Sequence, residues 1–196
     1  MKASDNTKTT YELKSAQMIL ANAFFGCSAL ENITLPEGLT SIGKAAFAGC
    51  DALKTVVMGE GVLDVGESAF ENCTSLESVT LADSIINIHN NAFSHCSSLK
   101  TLYLPTSLEY IGANAFYECR ALHNQVIIPE GVRQIGDYAF AYAGRDNSLN
   151  FSIKFTVTEG WKKTYGGYSV LSSLLSDVSQ ATDTFTSPDT CFAMHR

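Results

Sequence analysis

The 196-residue sequence predicts an α/β solenoid of five to six coils, each about 23 residues long and each contributing short parallel strands. Three observations predict it: a fixed period, several apolar columns in one register, and short alternating segments within each unit. A period of this length is typical of proteins in which every coil buries its apolar face against its neighbours. The period is clearest in the aromatic column, which comprises Phe24, Phe47, Phe70, Phe93 and Phe116.

Three further columns share that register. Ala precedes each Phe, Cys follows it by three residues, and Leu follows the Cys by three. We expect each Ala-Phe-x-x-Cys stretch to form one helical turn or a piece of 3₁₀ helix. The Cys column comprises Cys27, Cys50, Cys73, Cys96 and Cys119. The Leu column comprises Leu30, Leu53, Leu76, Leu99 and Leu122.

The cysteines are predicted to be free, buried thiols. No Cys-x-x-Cys pair occurs, and ligands that run along a line cannot converge on one metal ion. Side chains in register on parallel strands point the same way, which strains a disulfide between them. We therefore expect no metal site and no cofactor, and we interpret the thiols as small apolar side chains of the core.

Short strands should follow each Leu. The pattern Leu30-x-x-Ile33-x-Leu35 alternates as a half-buried strand does, and it recurs in the next three units. A second apolar pair follows each loop, and a Gly column, to which Gly43 belongs, then marks a tight bend. His89 occupies that column in the fourth unit, so the bend must tolerate a side chain there.

The repeat ends after an irregularity. One extra residue near Asn124 shifts the following unit, and Ala143 stands where Cys is expected. We divide the chain into a polar N-terminal arm (1–15), the solenoid (16–144), a C-terminal cap (145–180) and a flexible tail (181–196). Alternation over 151–157 predicts a strand in the cap and 170–178 a short helix. Residues 145–180 are alternatively the truncated start of another domain.

Composition excludes some classes of partner. The formal net charge is −7, and no basic cluster suited to nucleic acid phosphates is present. No apolar run is long enough to span a bilayer, so we expect no membrane insertion. The start of the chain lacks the charged-then-apolar order of a signal peptide, which leaves the compartment unknown.

The repeat as a whole resembles a known family. The pattern Ile-Gly-x-x-Ala-Phe-x-x-Cys-x-x-Leu-x-x-Ile-x-Leu-Pro, read over residues 16–143, is similar to the BspA-like (treponemal-type) leucine-rich repeat. The resemblance implies a right-handed solenoid, a secreted or cell-surface location, and a role in adhesion. We also expect no catalytic residues, because the sequence shows no recognisable catalytic motif.

Charged residues predict contacts between coils. Glu31, Lys54, Glu77 and Lys100 alternate in sign along one column, so stacking should place each beside an opposite charge. The same offset predicts a surface pair between His95 and Glu118. Both features serve register rather than ligand binding.

The candidate binding surface is the exposed face of the strands. Three-residue strands are about 10 Å long, and five at ~4.8 Å spacing present only about 240 Å². A standard protein interface takes ~800 Å² from each partner, so flanking loops must contribute, binding must be weak and multivalent, or the chain must be a fragment. The predicted face comprises Asn32, Thr34, Thr55, Val57, Ser78, Thr80, Thr101, Tyr103, Gln125 and Ile127.

Three functions are compatible with this sequence. The first is a non-catalytic module that binds a protein or glycan through the strand face and adjacent loops. The second is a structural spacer that presents other domains of a longer protein. The third is an enzyme seated after Gly144, but no phosphate-binding Gly-rich loop and no Gly-x-Ser-x-Gly motif occurs there. The first hypothesis is favoured.

Overall fold

The computed structural model describes residues 7–11, 13–147, 150–156, 162–165, 168–170 and 193–195. It confirms a solenoid of six coils, which we number by their phenylalanines: Phe24 lies in coil 1 and Phe140 in coil 6. The strand before each phenylalanine is β1 (Met18–Ile19), β3 (Ser41–Ile42), β5 (Asp64–Val65), β7 (Asn87–Ile88), β8 (Tyr110–Ile111) or β10 (Gln134–Ile135). The strand after it is β2 (Asn32–Thr34), β4 (Thr55–Val57), β6 (Ser78–Thr80), β9 (Gln125–Ile128) or β11 (Ser152–Phe155).

The two sets of strands form separate parallel ladders on opposite sides of the core. The first set pairs in the order β1-β3-β5-β7-β8-β10, each strand with its counterpart one coil away. The second set is divided into β2-β4-β6 and β9-β11. Coil 4 contributes no strand to this second side, since residues 101–104 lie outside both ladders.

The core is a stack of identical side chains. The six phenylalanine rings are almost parallel, and neighbouring centroids are 4.9–5.4 Å apart. The interplanar angles within the stack run from 1° to 14°, the largest being between Phe116 and Phe140. Because the spacing of the rings equals that of paired strands, one 23-residue period satisfies backbone hydrogen bonds and side-chain packing together.

The Ala-Phe-x-x-Cys stretches are turns, which differs from the helical or 3₁₀ piece expected. Each contains successive bonds from an N–H to the carbonyl three residues earlier, as in Ala46 to Gly43 and Cys50 to Phe47. Non-glycine residues with positive φ interrupt the helical path; Asn22 and Ala45 have φ of 57° and 50°. The N–H groups left over bond to the next coil, as Phe47 does to Ala69.

The described cysteines are free and buried, as expected. Their thiols also have a partner that the sequence did not reveal. Cys50 donates its S–H to the carbonyl of Phe24 at 3.1 Å, and Cys73 donates to that of Phe47 at 3.2 Å. Cys96 and Cys119 repeat the contact. Each thiol therefore joins its own coil to the preceding one.

The predicted charge column forms two ion pairs. The ammonium of Lys54 lies 3.0 Å from Glu31, and that of Lys100 lies 2.6 Å from Glu77. The pair predicted between His95 and Glu118 is wrong. Glu118 is nearly buried and binds the guanidinium of Arg120 instead. The ring of His95 packs edge-on against Tyr117, at 5.3 Å between centroids.

The C-terminal segment extends the second side. The strand predicted over 151–157 is present as β11, parallel to β9, and a 3₁₀ turn at Arg145–Asn147 precedes it. β12 (Lys162–Tyr165) and β13 (Tyr168–Val170) are antiparallel, and β14 (Ala193–His195) pairs with both β10 and β12.

Two of the predictions for the C-terminal segment concern residues that lie in these strands. Val170 belongs to β13, whereas the rest of the helix predicted over 170–178 lies outside the described residues. Within the segment 181–196, for which we predicted a flexible tail, residues 193–195 form β14, and the remainder lies outside the described residues.

Candidate binding surface

The ten residues predicted for the strand face share one side of the solenoid. Eight are exposed, and Thr55 and Thr101 are half-buried. The residue between each exposed pair, such as Ile33 or Val56, is buried in the core. Strict alternation explains this, since successive side chains of a strand point to opposite faces. The sequence therefore predicts the direction of these side chains correctly.

The face is divided into two columns of different chemistry. Parallel pairing aligns Asn32 with Thr55 and Ser78, and Thr34 with Val57 and Thr80. The polar column comprises Asn32, Thr55, Ser78, Thr101 and Gln125. The mixed column comprises Thr34, Val57, Thr80, Tyr103 and Ile127 and holds all the large exposed apolar side chains of the face.

Two side-chain hydrogen bonds run along the polar column. The hydroxyl of Thr55 donates to the Asn32 side-chain oxygen, and the Gln125 amide donates to the Ser152 hydroxyl at 3.2 Å. The mixed column offers contact area instead: Tyr103 is 71% exposed and Ile127 is 49% exposed. Tyr103 is the one aromatic residue of the face, and an aromatic ring supplies much contact area at little entropic cost.

The strand ladder is interrupted beside Tyr103. The three-stranded sheet ends at β6, and the two-stranded sheet begins at β9. Residues 101–104 of coil 4 lie between these two sheets and form no ladder with either. The residue before them, Lys100, still donates its N–H to the carbonyl of Glu77.

Asn124 accounts for the interruption on the side of β9. Successive phenylalanines are 23 residues apart up to Phe116 but 24 apart from there to Phe140. The extra residue is Asn124, whose side chain occupies the position of a strand partner. Its Oδ1 accepts from the N–H of Leu102 at 3.1 Å, and its Nδ2 donates to the carbonyl of Leu102 at 2.9 Å. The side-chain amide thus replaces two backbone bonds of the ladder.

A groove of about 680 Å³ opens at this interruption. Coil 4 supplies one wall through Leu102, Tyr103, Leu104 and Thr106. The opposite wall comprises Gln125, Ile127, Pro129, Glu130, Gly131 and Thr156. Volumes of 300–1,000 Å³ are usual for ligand pockets, so the groove has room for a small ligand or for one side chain with its flanking backbone.

A smaller groove lies at the other end of the face. It has a volume of about 400 Å³ and runs between the N-terminal arm and β2. Tyr11, Leu13 and Lys14 form the wall on the side of the arm. Asn32 and Thr34 border it on the opposite side, so both ends of the strand face are concave.

The described residues contain no cluster of side chains that could bind a metal ion. No group of three or more Asp, Glu, His or Cys side chains converges there. Burial raises the pKa of the Cys96 thiol well above its ordinary value, which suppresses the thiolate that would bind a metal or act as nucleophile. The hydrogen bond from Lys100 lowers the pKa of the exposed Glu77 carboxyl.

Sequence reasoning missed the loop side of the groove. The predicted face does not include Leu104, Pro129 and Glu130, because they follow the strands rather than lie within them. The signal in the sequence is the register shift at Asn124. An inserted residue separates neighbouring coils locally, and such a separation is where a groove can form.

Comparison with known proteins agrees with this architecture. A family model described as "BspA type Leucine rich repeat region (6 copies)" matches residues 17–147, more than half of the chain. A solenoid of stacked leucine-rich repeats is thus the class to which this fold belongs. The chain is a member of the BspA-type leucine-rich-repeat family. No curated protein matches the chain.

Solved structures of bacterial leucine-rich-repeat proteins are similar to this chain. A Treponema pallidum protein is 29% identical with a TM-score of 0.67, and the match covers 78% of this chain and 68% of that one. A Bacteroides ovatus protein is 41% identical with a TM-score of 0.61, covering 67% of this chain but 34% of its own. The chain therefore spans about two thirds of the first relative and one third of the second.

A more distant structure shows the fold alone. The pneumococcal vaccine antigen PcpA is 18% identical, with a TM-score of 0.63, and the match covers 89% of this chain and 44% of that one. Among the described residues, no helix is both long and apolar enough to cross a membrane.

Proposed function

We propose that this protein is a non-catalytic binding module that recognises a protein or glycan partner through its strand face and the adjoining loops. The groove beside Tyr103 carries the proposal. It combines a concave surface of about 680 Å³ with the two most exposed apolar side chains of the face, Tyr103 and Ile127. Convergence of a pocket with aromatic anchors is typical of binding sites.

The size of the face also favours a loop contribution. Strands alone offer about 240 Å², far less than the ~800 Å² of a standard interface. The groove enlarges this surface, since Thr106, Pro129 and Glu130 extend it past the ends of the strands. A ligand that enters it contacts two walls, so it buries more area than one resting on a flat sheet.

The chemistry of the groove suits an uncharged or cationic group. Tyr103 presents a ring on which a sugar or an aromatic side chain can stack, and Gln125 supplies amide donors and an acceptor. Glu130 contributes the carboxylate of the groove. A cation on the ligand is favoured over an anion at this position, as the net charge of −7 also suggests.

A side-by-side capture experiment tests the proposal. Wild-type protein, a Tyr103→Ala/Ile127→Glu variant and a Tyr138→Ala control are immobilised and exposed to a glycan array and to host extracellular proteins. Tyr138 is 45% exposed and is not one of the face residues, so the control removes a similar ring elsewhere. We expect one ligand to bind wild type and control, and to bind the groove variant at least ~10-fold more weakly.

Equal binding by the groove variant would refute the proposed site. If none of the three folded proteins retains a ligand, the proposed function itself is refuted. Because both substituted positions are exposed, we expect the variant to fold as the wild-type protein does. Far-ultraviolet circular dichroism checks this.

A spacer function is the second candidate. One observation favours it: the chain spans only 34% of the Bacteroides ovatus relative, so a solenoid of this size can be one part of a longer protein. The capture experiment separates the two, since a spacer retains no ligand. We propose a secreted or cell-surface location in both cases, on the basis of the family resemblance.

A further inference from the structure

The outer edge of coil 1 is apolar and uncharged. Met18 is 55% exposed, Leu20 53% and Phe25 62%, and these are three of the largest exposures of apolar side chains among the described residues. No Asp, Glu, Lys or Arg occurs from residue 16 to 28. Coils 2, 3, 5 and 6 carry two or more charges over the equivalent span, among them Lys44, Asp64 and Glu109, whereas the inner coil 4 carries none.

Charges are the usual protection of an exposed strand edge. Natural proteins place Lys, Pro or inward-pointing charges on edge strands to prevent pairing with another chain. β1 is such an edge, since it pairs only with β3 among the described strands. Its sequence, Met18-Ile19, and the following Leu20 contain none of these protective residues.

The edge also presents unused backbone groups. Ile19 accepts from the N–H of Gly43 in coil 2, so alternation directs the N–H groups of Met18 and Leu20 away from the solenoid. In the turn that follows, the pattern reverses. The carbonyls of Lys44, Ala46 and Ala48 each accept an N–H from coil 1. Their coil 1 counterparts receive no bond from any described residue: Ala21, Ala23 and Phe25.

The N-terminal arm covers only the other half of coil 1. Thr9 accepts the N–H of Glu31, as Glu31 itself accepts that of Lys54 one coil later. The Tyr11 ring packs edge-on against Phe24, with 5.0 Å between centroids. The arm thus acts as half of a preceding coil beside β2. Among the described residues, nothing takes the corresponding place beside β1.

We propose that this edge pairs with the same edge of a second copy of the chain. It carries donors in its first half, at Met18 and Leu20, and acceptors in its second half, at Ala21, Ala23 and Phe25. A two-fold axis reverses the direction of the partner, so the donors of one copy face the acceptors of the other. The same operation brings Met18 and Leu20 against the partner's Phe25 and removes all three from water.

Charge does not oppose this pairing. Each copy has a net charge of −7, but none of it lies on the pairing segment. Like charges of the two copies therefore do not meet at the contact. Physiological salt screens the repulsion between charges that lie farther apart. The strand face lies on the other side of each coil and stays accessible, so the dimer carries two copies of the proposed binding surface.

Sedimentation equilibrium of the whole chain tests the proposal. At about 100 µM, where a dimer of micromolar Kd is mostly assembled, we expect twice the monomer mass of 21.2 kDa. A Leu20→Lys/Phe25→Lys variant places unpaired charges on the edge and should sediment as a monomer. A Leu63→Lys/Ile86→Lys control changes two apolar residues that are 40% and 36% exposed in other coils, and should remain dimeric.

Hydrogen exchange supplies a readout that does not depend on the variants. The N–H groups of Met18 and Leu20 should exchange at least ~10-fold more slowly in the concentrated than in the dilute wild-type protein, because pairing protects them. A wild-type chain that is monomeric at this concentration overturns the proposal. A dimer that persists in the folded Leu20→Lys/Phe25→Lys variant also overturns it. The same holds if the exchange rates of the Met18 and Leu20 amides do not depend on protein concentration.

Discussion

At the scale of single residues, the cysteine column has two physical roles. Its side chains fill the core as small apolar groups, and their S–H groups bind carbonyls of the preceding coil. These carbonyls belong to phenylalanines, and each also accepts the N–H of the cysteine in its own coil, as Phe47 does from Cys50. Ala143 shows that the column tolerates loss of the thiol at coil 6.

Cys73→Ala should therefore lower the free energy of unfolding by about 1–2 kcal/mol. The change removes one buried hydrogen bond and leaves a small cavity between coils 2 and 3. Urea denaturation monitored by circular dichroism measures the effect. Thr74→Ala, at the exposed neighbouring position, should stay within about 0.5 kcal/mol of wild type. Equal stability of the two variants would show that the thiol bond contributes nothing.

At the scale of secondary-structure elements, one inserted residue keeps coil 4 from pairing with β9. Residues 101–104 would be in register with β9 if the 23-residue period continued past Leu122. Instead Asn124 bonds both backbone groups of Leu102. The groove of the proposed binding site is thus a consequence of register rather than of any special loop.

Deletion of Asn124 should close the groove. It places Gln125 23 residues after Thr101, which restores the register that pairs Thr55 with Ser78. We expect the amides of residues 102–104 to exchange more slowly and the surface at Tyr103 to flatten, which a crystal structure would show directly.

Asn124→Ala is the matched comparison for the deletion. It keeps the extra residue but removes both bonds to Leu102, so the groove should remain and stability should fall by about 1–3 kcal/mol. If the deletion leaves residues 101–104 unpaired, the insertion is not the cause of the interruption.

At the scale of the whole molecule, stability comes from contacts between adjacent coils. Each phenylalanine ring of the inner coils stacks on the rings before and after it, and alternate N–H groups of each inner turn bond to the next coil. Such a stack behaves as a linear array, in which the central units have two neighbours and the end unit has one.

Native-state hydrogen exchange should follow that arrangement. The N–H groups of Phe47, Phe70 and Phe93 occupy equivalent positions in coils 2, 3 and 4. They should exchange only through global unfolding, and therefore with one common free energy. In the Leu20→Lys/Phe25→Lys protein, the N–H of Phe24 in coil 1 should exchange through a smaller, local opening. Equal protection of Phe24 and Phe70 in that protein would indicate a single cooperative unit without fraying.

By itself, the sequence determined the period, the outward direction of the ten side chains of the predicted face, the buried Phe, Cys and Leu columns, and the ion pairs Lys54–Glu31 and Lys100–Glu77. These features follow from spacing alone, because a fixed period places equivalent residues beside one another.

Only the tertiary structure decided the groove at Asn124, the Arg120 partner of Glu118, the turns in place of helical pieces, and the open edge of coil 1. Each depends on where the backbone groups of two coils point relative to one another. A repeat pattern specifies which residues are neighbours, but the direction of an N–H, a carbonyl or a side-chain amide is settled only when the coils are stacked.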